Sequence, residues 1–416
     1  DLDGDGDVDF RDAFREGSPF MDGVDADGNG YTDDLIGWDS AGESFQADAD
    51  PYPKEGVASS STWAHGTHVA GIMAATTDNE IGVASPTYNA KYMSVKVSRD
   101  NQTGEPGITH GYSGILYAAK AGHNDLNGNG DWDLGESFTI INNSWGGGGF
   151  SGSENSTINV AYDVYGAVVV AAAGNGDDNS GTDEYASHYP SSYDNCISVC
   201  AIGCSGNWGN WATYHPDIDI AAPGESVLST IIGSGYQSWD GSSMASPNAA
   251  AVVGLIRQYY PDWSNQELRD RLELTADRFI YDLNPEFLDC DGHSGIDCLG
   301  AGMADAYKAI GFEFSPDISN TSNTLTMITG NGDDVLNPGE SAELVVELSN
   351  DIDWADAFNV TASISCENSS VSIINGVSDL GSMLSGDIIS NSSDPFTFLI
   401  SQEISLNPIN FILVVS

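Results

Sequence analysis

Two histidines stand three residues apart in the stretch Trp63 to Ala75, WAHGTHVAGIMAA, ahead of a run of small apolar residues. In this pattern His65 and His68 can serve as a metal pair, as a catalytic base beside a structural neighbour, or as two ordinary buried imidazoles. The zinc-peptidase arrangement needs a glutamate directly after the first histidine, and Gly66 stands there instead. A second chemical segment is DGSSMASPNAAAVVGLI, Asp240 to Ile256, where a serine in a tight Gly/Ser turn leads into a run of small residues. A nucleophilic hydroxyl needs such a place, because it must be exposed at a helix start and approached closely. Read alone, SSMASP is equally a helix N-cap with Pro247 near the first turn. In the third segment, AVVVAAAGNGDD, a buried strand stops at Gly174 and Asn175, where an amide can project into a cleft.

Acidic loops form another group of candidates. DLNGNGDWDLGE matches the twelve-residue calcium loop, with oxygens at Asp125, Asn127, Asn129 and Asp133, the carbonyl of Asp131, a turn-permitting Gly130 and a closing Glu136. DLDGDGDVDFRD follows the same scheme with Asp1, Asp3, Asp5, Asp7 and a shorter closing acid, Asp12. DADGNGYTDD offers Asp25, Asp27, Asn29 and Asp33, but Ile36 occupies the twelfth place, so a different cage drawing on Asp34 is needed. TGNGDDVLNPGE keeps Asn331, Asp333 and Glu340 and begins on Thr329. These residue types also make plain turns without metal. Their repetition favours calcium as the cofactor, and their irregular spacing marks insertions, not a solenoid.

Composition narrows the partners. With Asp+Glu 62 against Lys+Arg 12, the formal net charge is −50, which disfavours nucleic acid and anionic membranes and favours cations. No segment approaches the ~18 apolar residues of a membrane span, and no basic and apolar leader is visible. Cys196, Cys200 and Cys204 lie along one predicted strand, too far apart for direct bridges. Cys290 and Cys298 close a short polar loop and can bridge in an oxidising compartment.

The elements that must position these residues alternate between apolar strands and amphipathic or small-residue helices from Ser61 to about Ile310, the pattern of a parallel α/β sheet. Strands are expected at AKYMSVKV, FTIINNSW, AVVVAAAG and CISVCAIG. Helices are expected at HGTHVAGIMAAT, HGYSGILYAAKAG, ASPNAAAVVGLIRQYY and SNQELRDRLELTA, the last opened by Ser264 and Glu267 at capping-box spacing. Beyond Ser315 short Val/Ile/Thr/Ser runs predict a β-sandwich, and a chain ending on FILVVS is expected to carry it incomplete. The organisation read here is a calcium-binding insertion segment over 1–60, a catalytic core over 61–312 and an accessory β-sandwich over 316–416.

HGTHVAG, INNSWGG, AAAGN and GSSMASP occur in the order, and at roughly the spacing, found in the subtilisin-like serine peptidases. The resemblance runs from about Asp1 to Ile310 and includes the closing piece LGAGMADAYKAI. It implies an α/β, three-layer fold with a mostly parallel central sheet, followed here by the partial β-sandwich. It also implies a secreted, monomeric serine endopeptidase acting on protein or peptide substrates. On this resemblance Ser243 is the nucleophile, His65 the general base and His68 a structural histidine. Asn175 is the side-chain donor to the oxyanion, and Ser144, Trp145 and Gly146 pair with an extended substrate.

The family carries its third triad residue as an Asp in a DTG or DSG turn upstream of the histidine, and no such strand and turn precede His65. Asp39 in LIGWDSAG resembles it only superficially. The chain is therefore expected to start downstream of that strand, with no Asp of the first 50 residues reaching His65 Nδ1 and with AKYMSVKV beside the strand before Gly174. Asn248 and Ala251 depart from the family's commoner His and Gly. The alternative reading is a catalytically inactive subtilase-like binding or adhesion module. A cellulosomal attachment role is a third, because DLDGDGDVDFRDA resembles half a dockerin, but the second copy is absent.

Overall fold

The computed structural model describes the chain apart from residues 1–11, 13–16, 44, 55, 177–184, 186, 210, 291–294, 312–315, 334, 352–354 and 404–408. Asp1, Asp3, Asp5 and Asp7 lie outside the described residues, and Asp12 is buried. Two compact units divide the chain, Asp1–Ile310 and Gly311–Ser416.

In the first unit the elements run β1 (Gly37–Asp39), α1 (His65–Ala74), β2 (Ser94–Lys96), α2 (Gly111–Gly122), β3 (Ile140–Asn143), α3 (Gly152–Asn159), β4 (Val168–Ala172) and β5 (Cys196–Ile202). They continue with β6 (Ile220–Pro223), β7 (Val227–Ile231), β8 (Gly235–Trp239), α4 (Ser242–Tyr259), α5 (Asn265–Leu274), α6 (Phe279–Leu283) and α7 (Ala306–Ala309). The central sheet has the order β3-β4-β5-β6, every pair parallel. All residues of β4 and β5 are buried, as a parallel sheet covered on both faces requires.

Alternation along β4 assigns the two faces. Val168 and Val170 pack with Ala245, Ala249, Ala250, Val253 and Ile256 of α4, while Val169 and Ala171 pack with Ile115, Ala118 and Ala119 of α2 and Ile158 of α3. The result is helix on sheet on helix. The alanines of α4 keep its axis close to the sheet. Ser264 and Glu267 form the expected capping box at the start of α5. Cys290 and Cys298 are joined, whereas Cys196 and Cys200 are buried free thiols.

The hairpin β7-β8 is clamped onto α1. Ser229 Oγ donates to His68 O at 2.7 Å and Thr230 Oγ1 to Thr67 O at 2.8 Å. A Cβ at Gly71 would stand 2.3 Å from Ser229 Oγ and 2.4 Å from Thr230 Oγ1, so the approach needs glycine.

One expectation fails. The segment around β2 does not neighbour β4; it pairs in parallel with β1, Asp39 opposite Lys96. Both edges of β4 are taken by β3 and β5, so only three residues of AKYMSVKV form a strand, and they do so beside a different partner.

The second unit contains β9 (Ile318–Thr329), β10 (Ser341–Asn350), β11 (Ala357–Cys366), β12 (Val371–Asn375), β13 (Val377–Met383), β14 (Ile388–Ser390), β15 (Phe396–Ile400) and β16 (Phe411–Val415). One antiparallel sheet joins β12-β15-β10-β14 with β9 on β10, the other β13-β11-β16. Val346, Leu348 and Phe396 of the first sheet share a core with Val360, Ala362, Ile364 and Met383 of the second, which makes a β-sandwich.

Candidate active site

His65 is the first residue of α1 and Ser243 the second of α4. With Asn175, just beyond β4, they line one cleft of about 390 Å³ together with Ser238, Trp239, Asp240 and Met244. The three residues that motif reading singled out, spread over 179 positions of sequence (243 − 65 + 1), therefore converge.

The start of α4 explains how the site is built. Its first N–H groups have no intrahelical acceptor. Ser242 N instead donates to Asn175 Oδ1 at 2.8 Å, and Ser242 Oγ donates to the same oxygen at 2.9 Å while accepting Gly174 N at 3.1 Å. With Oδ1 held twice, the amide nitrogen of Asn175 is left without a hydrogen-bond partner among the described residues. The Cβ position of Gly241 is 3.6 Å from both Asn175 Nδ2 and Ser243 N, so two donors border one small space that a side chain would occupy. Gly241 has φ +154, a conformation other residues avoid. Such a pair of donors suits an oxygen gaining negative charge.

Ser243 Oγ donates to Ser144 O at 3.2 Å, and Ser144 Oγ donates back to Ser243 O at 2.8 Å, bracing the helix start against the end of β3. Trp145 packs on Gly111, where a Cβ would stand 2.4 Å from the ring, and edge-on against Tyr112. Gly146 is exposed, and a Cβ there would stand 2.5 Å from His188 Nδ1. Asn248, the departure noted in α4, donates to Pro223 O and Met244 O, which accounts for it as packing.

Trp239 sets the opposite wall. Its ring stacks on His68 at 4.5 Å and 7°, and faces His65 at 6.3 Å and 25°. His68 is fully buried and donates through Nε2 to Gln237 O at 2.8 Å, the behaviour of a structural histidine.

No carboxylate among the described residues is bonded to His65. Asp39, which ends β1, is fully buried: Oδ1 accepts Ala41 N and Gly42 N at 2.8 and 2.9 Å, and Oδ2 lies 2.9 Å from Lys96 Nζ. It caps a turn and neutralises a lysine. Burial, and secondarily repulsion from His68, push His65 down to about 4. Its neutral form thus contributes stability fully above the unfolded value near 6.5, and that contribution is lost as pH falls from 6.5 toward 4. The acid limb of kcat/KM on an uncharged peptide is accordingly expected near pH 4 if His65 works without a carboxylate. A limb at or above pH 6.5 would show that burial does not hold the ring neutral in the working protein.

The loop 125–136 is pre-folded. Asp125 accepts Gly128 N and Gly130 N, Asn127 Oδ1 accepts Asn129 N, Asn129 Oδ1 accepts Asp131 N, and Asn127 and Asn129 amides both donate to Asp133. Glu136 reaches back to Leu126 N and Asp133 N. Loop 25–34 repeats the arrangement at Asp25, with Asn29 bonding Asp27 and Asp34. Asp33, whose backbone is left-handed at φ +62, accepts Asp22 N and Gly23 N, and Asp34 accepts the Asn29 amide. Among the described residues no three His, Cys, Asp or Glu side chains form a metal cluster by themselves; any ion here would draw on amide and main-chain oxygens too.

Sequence reading missed Ser242, Trp239 and Gly241. The doubled serine of GSS was the available signal for the first; nothing local marks Trp239.

A helix start presenting a serine, with a histidine and an amide donor across a cleft above a parallel sheet, defines a serine peptidase-like site. The chain belongs to the Subtilase family, whose model matches residues 23–331. It is 34% identical over 212 residues to subtilisin E of Bacillus subtilis (strain 168), covering 51% of this chain and 50% of that protein. It is 35% identical over 213 residues to alkaline elastase YaB of Bacillus sp. (strain YaB), covering 51% and 50%. The chain spans about half the length of the curated relatives it matches. A solved structure of proteases from Pseudoalteromonas arctica PAMC 21717 superposes with TM-score 0.51 at 30% identity, covering 66% of this chain and 83% of that one.

Proposed function

We propose that the first unit is a serine endopeptidase acting outside the cell. Ser243 Oγ attacks a peptide carbonyl, His65 takes its proton and returns it to the leaving amine, and water then hydrolyses the acyl-enzyme by the same route. Asn175 Nδ2 and Ser243 N–H receive the oxyanion, and Ser144 to Gly146 pair with the substrate backbone. The observation that carries the reading is the space at Gly241, where Asn175 Nδ2 and Ser243 N each lie 3.6 Å from the position a Cβ would take. Extracellular placement is supported by the Cys290–Cys298 disulfide. The test is a fluorophosphonate probe on the whole protein: one adduct, on Ser243, is expected. No adduct and no hydrolysis would favour an inactive binding module.

Calcium belongs to the same proposal as a structural ion. Asp125, Asn127, Asn129, Asp133, the carbonyl of Asp131 and Glu136 supply the hard oxygens it takes, and their loop already has the required turns. Asp25, Asp27, Asn29 and Asp33, with Asp34, offer a second set. Binding to the folded state alone contributes about 2.7 kcal/mol at a free concentration one hundred times Kd. Melting in millimolar calcium is expected several degrees above melting in chelator; identical curves would make these loops plain turns.

A further inference from the structure

The peptidase reading leaves one cleft residue without a role. Asp240 lines the cleft with His65 and Ser243, three positions before the nucleophile, and it is exposed. Its Oδ1 accepts Ser226 N at 2.6 Å, which ties the carboxylate to the edge of the β7-β8 hairpin. Ser226 is itself left-handed, φ +55, so the main chain turns to present that N–H. The second carboxylate oxygen has no protein partner among the described residues, and no ion pair there includes Asp240. No Lys or Arg lines the cleft. Nor does Asp240 serve His65, whose perturbation arises from burial and His68.

Asp240 directly follows Trp239, whose ring faces His65 at 6.3 Å, so a peptide that brings its scissile carbonyl to Ser243 places neighbouring side chains in the cleft that Asp240 lines.

Resting on the peptidase reading of this cleft, we propose that Asp240 is a specificity residue that selects peptides carrying Lys or Arg within two residues of the scissile bond. A carboxylate pre-held by one main-chain N–H loses little freedom on pairing with an ammonium or guanidinium. The net charge of −50 gathers cationic peptides in general but cannot distinguish positions along them.

The test uses the whole protein and quenched peptides identical except for Lys, Gln or Glu at each of the two positions on either side of the cut in turn, the position with the largest Lys preference being scored. The readout is the ratio of kcat/KM for Lys over Gln on the same enzyme. The ratio is expected to exceed one by about fivefold, the upper range of an exposed ion pair. In Asp240→Asn, whose Oδ1 still accepts Ser226 N, it is expected to fall to near one, and Asp240→Ser provides a second neutral variant. A Lys ratio unchanged in both variants overturns the proposal. Equilibrium binding of the same peptides to Ser243→Ala separates this from failure of the peptidase reading. A Lys preference in Kd that vanishes with Asp240 supports the proposal even without turnover, and no preference overturns it.

Discussion

Replacing Ser243 with alanine is expected to lower peptide hydrolysis by the whole protein by about 10⁶ in kcat, the scale seen when subtilisin itself loses its nucleophile. That figure belongs to the relative; its transfer rests on membership of the same family. Ser243 Oγ makes one described hydrogen bond, to Ser144 O, and the return bond from Ser144 Oγ goes to the main chain of residue 243, which alanine keeps. Alanine is also a good helix former in the first turn of α4. Melting should therefore move by no more than a few degrees while turnover disappears. Wild-type hydrolysis of casein by Ser243→Ala would remove Ser243 from the mechanism altogether.

Asn175→Ala is expected to cost about 10² to 10³ in kcat with KM nearly unchanged, because the donor acts on charge that develops only in the transition state. Here too the magnitude comes from a subtilisin donor. This substitution also strips the acceptor from Ser242 N and Ser242 Oγ, and Ser242 is buried, so a destabilisation of about 1–3 kcal/mol should accompany it. Asn175→Asp separates the two effects. It retains an acceptor for Ser242 but places negative charge, not a donor, beside the oxyanion, so activity should fall at least as far while melting falls less. An Asp variant with near-normal kcat would show that residue 175 is only a brace.

The Ser242–Asn175 pair also shows where sequence reading stops. HGTHVAG, AAAGN and GSSMASP named His65, Asn175 and Ser243 through their resemblance to the motifs of the subtilisin-like peptidases, and each stretch also encodes its own local conformation. Small residues open a helix, β-branched residues fill a buried strand, and glycine accepts dihedrals such as φ +118 at Gly174. The capping box of α5 and the Asx turns of residues 125–136 were legible for the same reason, since their partners lie within a dozen positions. Even Asp39, unsuited by context to serve His65, was readable as an acid of another kind.

Only the tertiary structure decided what each side chain meets. Which end of the Asn175 amide faces the cleft depends on Ser242, 67 positions away, and the Ser243 hydroxyl is oriented by Ser144, 99 positions away. The partner of β2 is β1 and not β4, because β4 offers two edges and both are filled. That the Asn29 amide meets Asp34 while Asp33 meets the main chain at residues 22 and 23 is likewise visible only in the folded loop. Helix period and turn chemistry are properties of a short stretch of chain and survive in any context. Strand order, amide orientation and the partner of a buried acid are chosen by competition among distant groups for the same space, and that competition exists only once the chain has folded.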